Sequence, residues 1–229
     1  VRFWWRDDDA VEPGPALDAL LALSAHFDAP ISLAVIPQTA SAGLAARLAG
    51  DRRVDVLVHG IAHSNNAGAG VKKQELVSGG DETVRALALA WQRVSTLFGE
   101  RALPILVPPW NRIAPDLVRR LPEAGFAGLS TYATMIASAP GRRIDTHIDP
   151  IDWKGGGGRV GASAHIARLA AMLEESLDRN PPVLGPVGLL THHLVHDPWV
   201  WALVRELLTV LSAHRAVRFV AARELFGLT

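Results

Sequence analysis

The chain has 229 residues, 49% of them apolar, and 23 basic against 23 acidic side chains, so its formal net charge is +0. This is ample for one large domain with a sizeable core, and it gives a nucleic-acid partner no electrostatic footing. Cysteine is absent, which excludes disulfides, thiolate ligands and a cysteine nucleophile; any metal must sit on His, Asp or Glu.

Residues 1–6 are rich in β-formers and run straight into Asp7, Asp8 and Asp9. Three adjacent carboxylates raise one another's pKa, so the cluster reads either as a solvated turn or as a strand end presenting carboxylates to a metal and a reacting water. Residues 15–27 place Leu17, Leu20, Leu21, Leu23 and Phe27 at helical spacing, and Pro30 ends the helix. A buried strand is predicted at 31–37 and a helix at 40–48, closing at Gly50. The apolar run 54–58 is the next strand. It ends on His59-Gly60-Ile61-Ala62-His63, which delivers two imidazoles, the commonest protein ligands of zinc-like metals, to the mouth of a sheet. Strand and helix alternate, which predicts parallel strands joined by helical crossovers.

Residues 64–80 form a loop rich in Gly, Asn and Ser, expected to be a substrate-facing flap. The amphipathic stretch 81–98 is a helix with Asp81 as its expected N-cap and Gly99 past its end. A strand at 103–107 leads into Pro108-Pro109-Trp110-Asn111-Arg112, a rigid wall with a polar lip and a substrate-binding candidate. A helix at 115–124 and a short strand at 125–132 follow. Residues 143–153 alternate polar and apolar like a strand with one polar face. The glycine run 155–158 lacks the Lys and Ser/Thr of a phosphate loop and reads as a linker. A helix at 166–177 precedes the last core strand, 187–191, which delivers His192 and His193. A long helix from Pro198 to about His214 and a closing strand at 217–220 complete the chain. His26, His165 and His214 read as surface or capping residues.

Four strands therefore end in chemically loaded residues, where parallel α/β folds place their sites. Two histidines and one carboxylate leave open positions on a divalent ion. Asp9, His59 and His63 are the expected ligands, Asp8 the base that takes a proton from water, and His192 the acid for the leaving group. The expected chemistry is hydrolysis of an ester or amide.

In order and content these segments resemble the polysaccharide deacetylase (NodB-homology) family. The resemblance rests on Arg6-Asp7-Asp8-Asp9-Ala10, on the His59/His63 pair, on Pro108-Pro109-Trp110-Asn111, on Asp149-Pro150-Ile151-Asp152-Trp153 and on Leu190-Thr191-His192. It implies a distorted (β/α)7-type barrel as a single domain spanning 1–229. It also implies metal-dependent removal of acetyl groups from an N-acetylated carbohydrate, a C–N bond other than a peptide bond. The family's base and ligand are successive aspartates, so the triplet admits two frames, Asp8/Asp9 and Asp7/Asp8; the shorter run to the first helix favours the former. The family pattern further implies that Asp152 orients the catalytic histidine and that Trp153 packs beside the acetyl pocket; Trp153 joins Pro109, Trp110, Asn111, Arg112 and His193 as the expected substrate-binding residues. Either His192 or His193 could be the acid. One departure stands out: the arginine usual before the prolines, which steers the catalytic aspartate, is Val107, so Arg6 or Arg112 must substitute or the base is tuned differently.

Zinc is the leading ion, with cobalt, manganese and nickel as alternatives. The expected partner is an N-acetylated carbohydrate, with a small amide or imide as the competing substrate and a non-catalytic carbohydrate-binding protein as the reading from another class. No apolar run long enough for a membrane span and no signal-peptide pattern occur, so the expected location is cytoplasmic, with Val1 in place of Met leaving room for a trimmed leader. Oligomeric state is left open.

Overall fold

Strand β1 (Arg2–Ala10) is the backbone of the molecule. It pairs in parallel with β2 (Ile31–Val35) along one edge and with β6 (Val187–Thr191) along the other. The computed structural model describes residues 1–133, 143–151, 153, 161–178 and 185–228. Within them a seven-stranded sheet runs through β5 (Gly128–Leu129), β4 (Ala102–Val107), β3 (Val54–His59), β2, β1 and β6, with the seventh strand beside β1 off that path. Strands β3, β4 and β5 extend it on the β2 side, and β7 (Arg218–Phe219) pairs with the first residues of β1. All pairings are parallel, as expected when helices return the chain between strands.

The sheet curls until its two edges are bridged by residues 143–148. Ile144 N–H donates to Leu129 O and Thr146 N–H to Thr131 O on the β5 side; His147 N–H donates to Gly188 O on β6, and Leu190 N–H returns to Ile148 O. This stretch makes only isolated bridges, so the regular strand predicted at 143–153 is replaced by an irregular stave that closes a distorted barrel. Closure is tight at Gly188, where a Cβ would lie 2.5 Å from Trp4 Nε1 and 2.7 Å from Thr146 Cα. Only glycine fits there.

Because side chains alternate along a strand, β1 sends Phe3 and Trp5 to one face and Trp4 to the other. Phe3 and Trp5 pack in the outer core with Leu17 and Leu20 of α1 (Pro15–His26), Leu44 of α2 (Ala42–Leu48), Val84 of α3 (Asp81–Phe98) and Leu203 of the C-terminal helix α6 (Pro198–Ala213). Trp4 lies inside the barrel with Ala34, Leu57, Leu103, Ile105 and Val107, and the C-terminal segment adds Val220, Ala222 and Phe226 to that cluster. Asp55, at the start of β3, accepts the backbone N–H and Nε–H of Arg223. The barrel is thus plugged at the N-terminal ends of its strands, and only the C-terminal mouth is left for chemistry.

Helix α4 (Pro115–Arg120) is followed by a tighter turn, Leu121–Ala124, and α5 (Ala162–Leu177) and α7 (Ala222–Leu225) complete the elements. Three local expectations are corrected. Gly80 rather than Asp81 occupies the N-cap of α3, and Asp81 pairs instead with Arg120. The strand predicted over 125–132 shrinks to Gly128–Leu129, because its later residues hydrogen-bond to the closing stave. His165 is buried, not on the surface. Among the described residues no helix is long and apolar enough to cross a membrane.

Candidate functional site

The inward face of β1 reads Trp4, Arg6, Asp8: apolar at the plug, cationic in the middle, anionic at the mouth. Arg6 and Asp8 are 0% and 2% exposed. Arg6 Nε–H donates to Asp8 Oδ1 at 2.8 Å and Nη2–H to Asp8 Oδ2 at 3.0 Å. Its remaining donors reach Asn111 Oδ1 (2.8 Å), Ser130 Oγ (2.7 Å) and Thr131 O (3.4 Å). A guanidinium has five N–H donors, and each has a partner. That is the condition under which a buried charge pair is tolerable. Of the two arginines the sequence offered, Arg6 is the one that holds Asp8. Arg112 does not substitute: its Nη1 donates to Lys73 O on the neighbouring loop.

Past Asp8 the strand is irregular. The β1–β2 register shifts between Asp8 and Ala10, and Asp9 takes a positive φ of 73°. This swings the Asp9 carboxylate toward β3, where Oδ1 lies 3.1 Å from His59 Nε2 and 3.3 Å from His63 Nε2. Asp9, His63, Trp110 and Asn111 are four of the five non-glycine residues with positive φ among those described. Backbone strain is thus concentrated at this mouth, as it commonly is where geometry serves a function.

His59 is the last residue of β3, and its Nδ1 lies 3.0 Å from Val107 O. A carbonyl can only accept, so Nδ1 carries the proton and Nε2 presents its lone pair toward Asp9, the usual orientation of a metal-bound imidazole. Asp9 Oδ1 is buried and makes no hydrogen bond among the described residues. With both Nε2 atoms unprotonated, two lone pairs would face one carboxylate oxygen and repel unless a cation joined them. One donor atom from each of the three residues falls within 4.8 Å of the others, so the set fits a divalent ion. The electrostatics agree. Burial disfavours the charged form of Asp9, but contact with His59 and the charges of His59, His63 and His192 outweigh it and bring the carboxyl to about 2. Burial also works against charging His59, yet Asp9 and Asp8 raise its pKa. His63 is lowered, chiefly by burial. A metal bound here would compete with the proton that Asp9 favours on His59, so its affinity would fall as the pH is lowered.

Gly60 makes the turn between the histidines at φ +63°, and a Cβ there would lie 2.1 Å from Glu75 Oε2 and 2.6 Å from Pro109 Cδ. Glu75 is buried at 4% exposure and accepts the N–H groups of Ile61 (2.9 Å), Ala62 (2.8 Å) and Ser64 (3.1 Å). The loop predicted to be a flap is accordingly pinned at both ends. Asn66 donates to Glu75 O, Gln74 N–H to Asn65 Oδ1, and Leu76 bridges to Ile113. Most of the loop is nonetheless exposed, Val71 near its tip by 64%. A glutamate inside a Gly/Asn/Ser loop carried no periodic signal, so sequence reasoning passed over it.

The wall residues divide their work. Pro109 is buried against the histidine turn, the Trp110 ring centre lies 4.4 Å from that of His63, and Asn111 accepts from Arg6. On the opposite side, the His192 and Trp153 rings meet edge-on at 5.0 Å, and Asp149 holds Trp153 Nε1–H at 2.9 Å. Burial raises the pKa of Asp149. His192 is half-buried, with Nδ1 lacking a hydrogen-bond partner among the described residues. Asp152, expected to orient this histidine, lies outside the described residues.

His193, expected to line the groove, does not face it. It is 1% exposed and its Nδ1 lies 2.5 Å from Asp7 Oδ1. Asp7 Oδ2 also accepts from His193 N–H and Thr191 Oγ. Asp7 is on the outer face of β1 with Phe3 and Trp5, one residue out of phase with Asp8, so it draws the following histidine of β6 to the helix side. Of the two frames for the triplet, the one that meets both imidazoles is Asp9 with Asp8 beside it.

No family model matches the chain, and no curated protein matches it. Solved structures do. A candidate polysaccharide deacetylase from Mycobacterium smegmatis superposes with a TM-score of 0.70 at 17% identity, covering 99% of this chain and 89% of its own. A family 4 acetyl xylan esterase from Clostridium thermocellum, solved with a cobalt ion, gives 0.63 at 14% identity over 100% and 91%. A peptidoglycan N-acetylglucosamine deacetylase bound to an N-hydroxybenzamide gives 0.64 at 14% over 99% and 88%. The chain thus shares its fold, across nearly its whole length, with the solved polysaccharide deacetylases and the family 4 acetyl xylan esterase.

Proposed function

We propose that the protein is a metal-dependent hydrolase that removes acetyl groups from an N-acetylated carbohydrate. The observation that carries this reading is the convergence of Asp9, His59 and His63 on one point beside an arginine-held Asp8. Asp9, His59 and His63 hold the ion, with zinc the leading candidate and cobalt, manganese or nickel alternatives. When bound, the ion supplies Lewis acidity that polarises the acetyl carbonyl and lowers the pKa of water.

The chain's own groups do the rest. Asp8, fixed by two charge-assisted hydrogen bonds from Arg6, takes the proton of the attacking water. That pairing keeps the carboxylate aimed, as a general base requires. His192, across the mouth and packed on Trp153, delivers a proton to the departing amine nitrogen. Trp110 and Trp153 form apolar walls for the acetyl methyl and the sugar face. An acetylated carbohydrate is what the solved proteins of this fold are named for, N-acetylglucosamine of peptidoglycan in one and the acetyl ester of xylan in another, and the N-acetyl class follows the first.

The test is acetate release from chitooligosaccharides and from a panel of simple N-acetyl amides, before and after chelation and re-addition of zinc, cobalt or manganese. The expected result is close to one divalent ion per chain, loss of ion and activity in His59→Ala, and turnover of the oligosaccharides above the amides. A protein that binds no ion and gains no activity from any of the three would sink the mechanism. Preference for the simple amides would move the substrate assignment.

A further inference from the structure

We infer that Glu75 is a positioning residue that holds the His59–His63 turn in its ligand geometry. The inference rests on the metal-site reading above but concerns a residue outside the ligand set. Three consecutive requirements meet at this one carboxylate. The chain must leave β3 abruptly for His63 to come back beside His59, and the turn does so through positive φ at Gly60 and again at His63, 63° and 57°. That turn leaves the N–H groups of Ile61, Ala62 and Ser64 pointing to one spot, with no carbonyl there to take them. Glu75 fills it with both oxygens, at 2.8–3.1 Å. N–H groups left without an acceptor on a partly buried turn are costly, so removing the carboxylate removes a reason for the turn.

The same residue is tied to the rest of the mouth. Its backbone carbonyl accepts from Asn66, and the next residue, Leu76, pairs with Ile113 beyond the Trp110 wall. Gly60 is packed between Glu75 Oε2 and Pro109, so turn, loop and wall share one contact point. The glycine and the glutamate are complementary: only a residue without a side chain leaves room for the carboxylate. Glu75 spends both oxygens on backbone N–H groups, so it acts on the ligand geometry through the backbone that carries His63, with its charge also felt at that ring.

Two variants test this. Glu75→Gln keeps the volume but turns an NH2 group toward the N–H donors. Glu75→Asp keeps the charge but is one methylene too short to reach all three. Zinc affinity by chelator competition is expected to fall about ten-fold or more in both, the scale seen for residues that orient ligands, and the visible absorption of the cobalt-loaded protein to change shape. Amide hydrogen exchange at Ile61, Ala62 and Ser64, read in the metal-free protein, is expected to accelerate in both variants. Wild-type affinity, cobalt spectrum and protection in Glu75→Gln overturn the inference. If Glu75→Asp alone retains wild-type affinity, spectrum and protection, the charge rather than the grip matters, and the inference also fails. Should the wild type bind no ion, the hydrolase reading fails by itself. The exchange arm still decides this one, protection that depends on residue 75 upholding it and protection that does not overturning it.

Discussion

The two faces of β1 pose one problem and answer it in two ways. Each face carries two groups and then a buried aspartate: Trp4, Arg6 and Asp8 inward, Phe3, Trp5 and Asp7 outward. Asp8 is held by a guanidinium from its own strand, two residues back. Asp7 is held by an imidazole, a hydroxyl and an N–H from the neighbouring strand end. Arginine keeps its charge across the physiological range, so the inner carboxylate always faces a cation. Histidine does not, so the outer pair weakens within that range. The inner face can therefore host a base, whereas the outer face joins β1 to the strand that carries His192.

The comparison can be broken most directly at the two carboxylates. Asp8→Asn is expected to retain its metal and lose about 10²- to 10⁴-fold in turnover, the range for a general base. Asp7→Asn should lose far less; the reverse ranking, read from initial rates and metal content, would establish the other frame. Next in size is Arg6→Met. It strands a buried carboxylate, and chemical denaturation should show about 3–5 kcal/mol of lost stability. The Arg6→Met/Asp8→Asn double variant should recover part of that loss, since the uncompensated charge is then gone. Full additivity would mean that the pair is not coupled.

The outer pair predicts a smaller effect with a pH signature. Burial works against charging His193, but Asp7 more than compensates and lifts its pKa above the ordinary 6.5. A raised histidine contributes stability that is fully present below about 6.5 and is lost as pH rises through the folded value. The gap in stability between wild type and Asp7→Asn, on the order of 1–3 kcal/mol for a broken buried hydrogen bond, should thus be widest near pH 5–6 and narrow toward pH 9. A gap that widens with pH would show that His193 is not charged by Asp7.

Much of this was legible without coordinates. Strand and helix order and the loaded strand ends, with the aspartate triplet, the His59/His63 pair, Trp110 and the His192/His193 pair as candidates, follow from hydrophobic period, breakers and residue chemistry, all of which are local in sequence. The neighbours of the triplet were not legible. Alternation says that Asp7 and Asp8 face opposite ways, but not which way is inward, and the bulge that re-aims Asp9 is a property of pairing with β2. Arg6 was one of two candidates to replace the missing arginine. The choice depended on reach across the barrel to Ser130 and Asn111. Glu75 carried no signal, because its partners are backbone N–H groups that every sequence has.

The sequence by itself thus determined the parallel α/β framework and the chemical inventory at its mouth. Both depend on side-chain type and spacing along the chain. Only the tertiary structure decided how the inventory is shared out. It made Asp9 the companion of two histidines and Asp8 the partner of Arg6, set Asp7 against His193, and put Glu75 beneath the turn. The physical reason is that a buried polar group is defined by what satisfies it, and here those partners come from strands and loops distant in sequence, brought together only when the barrel closes.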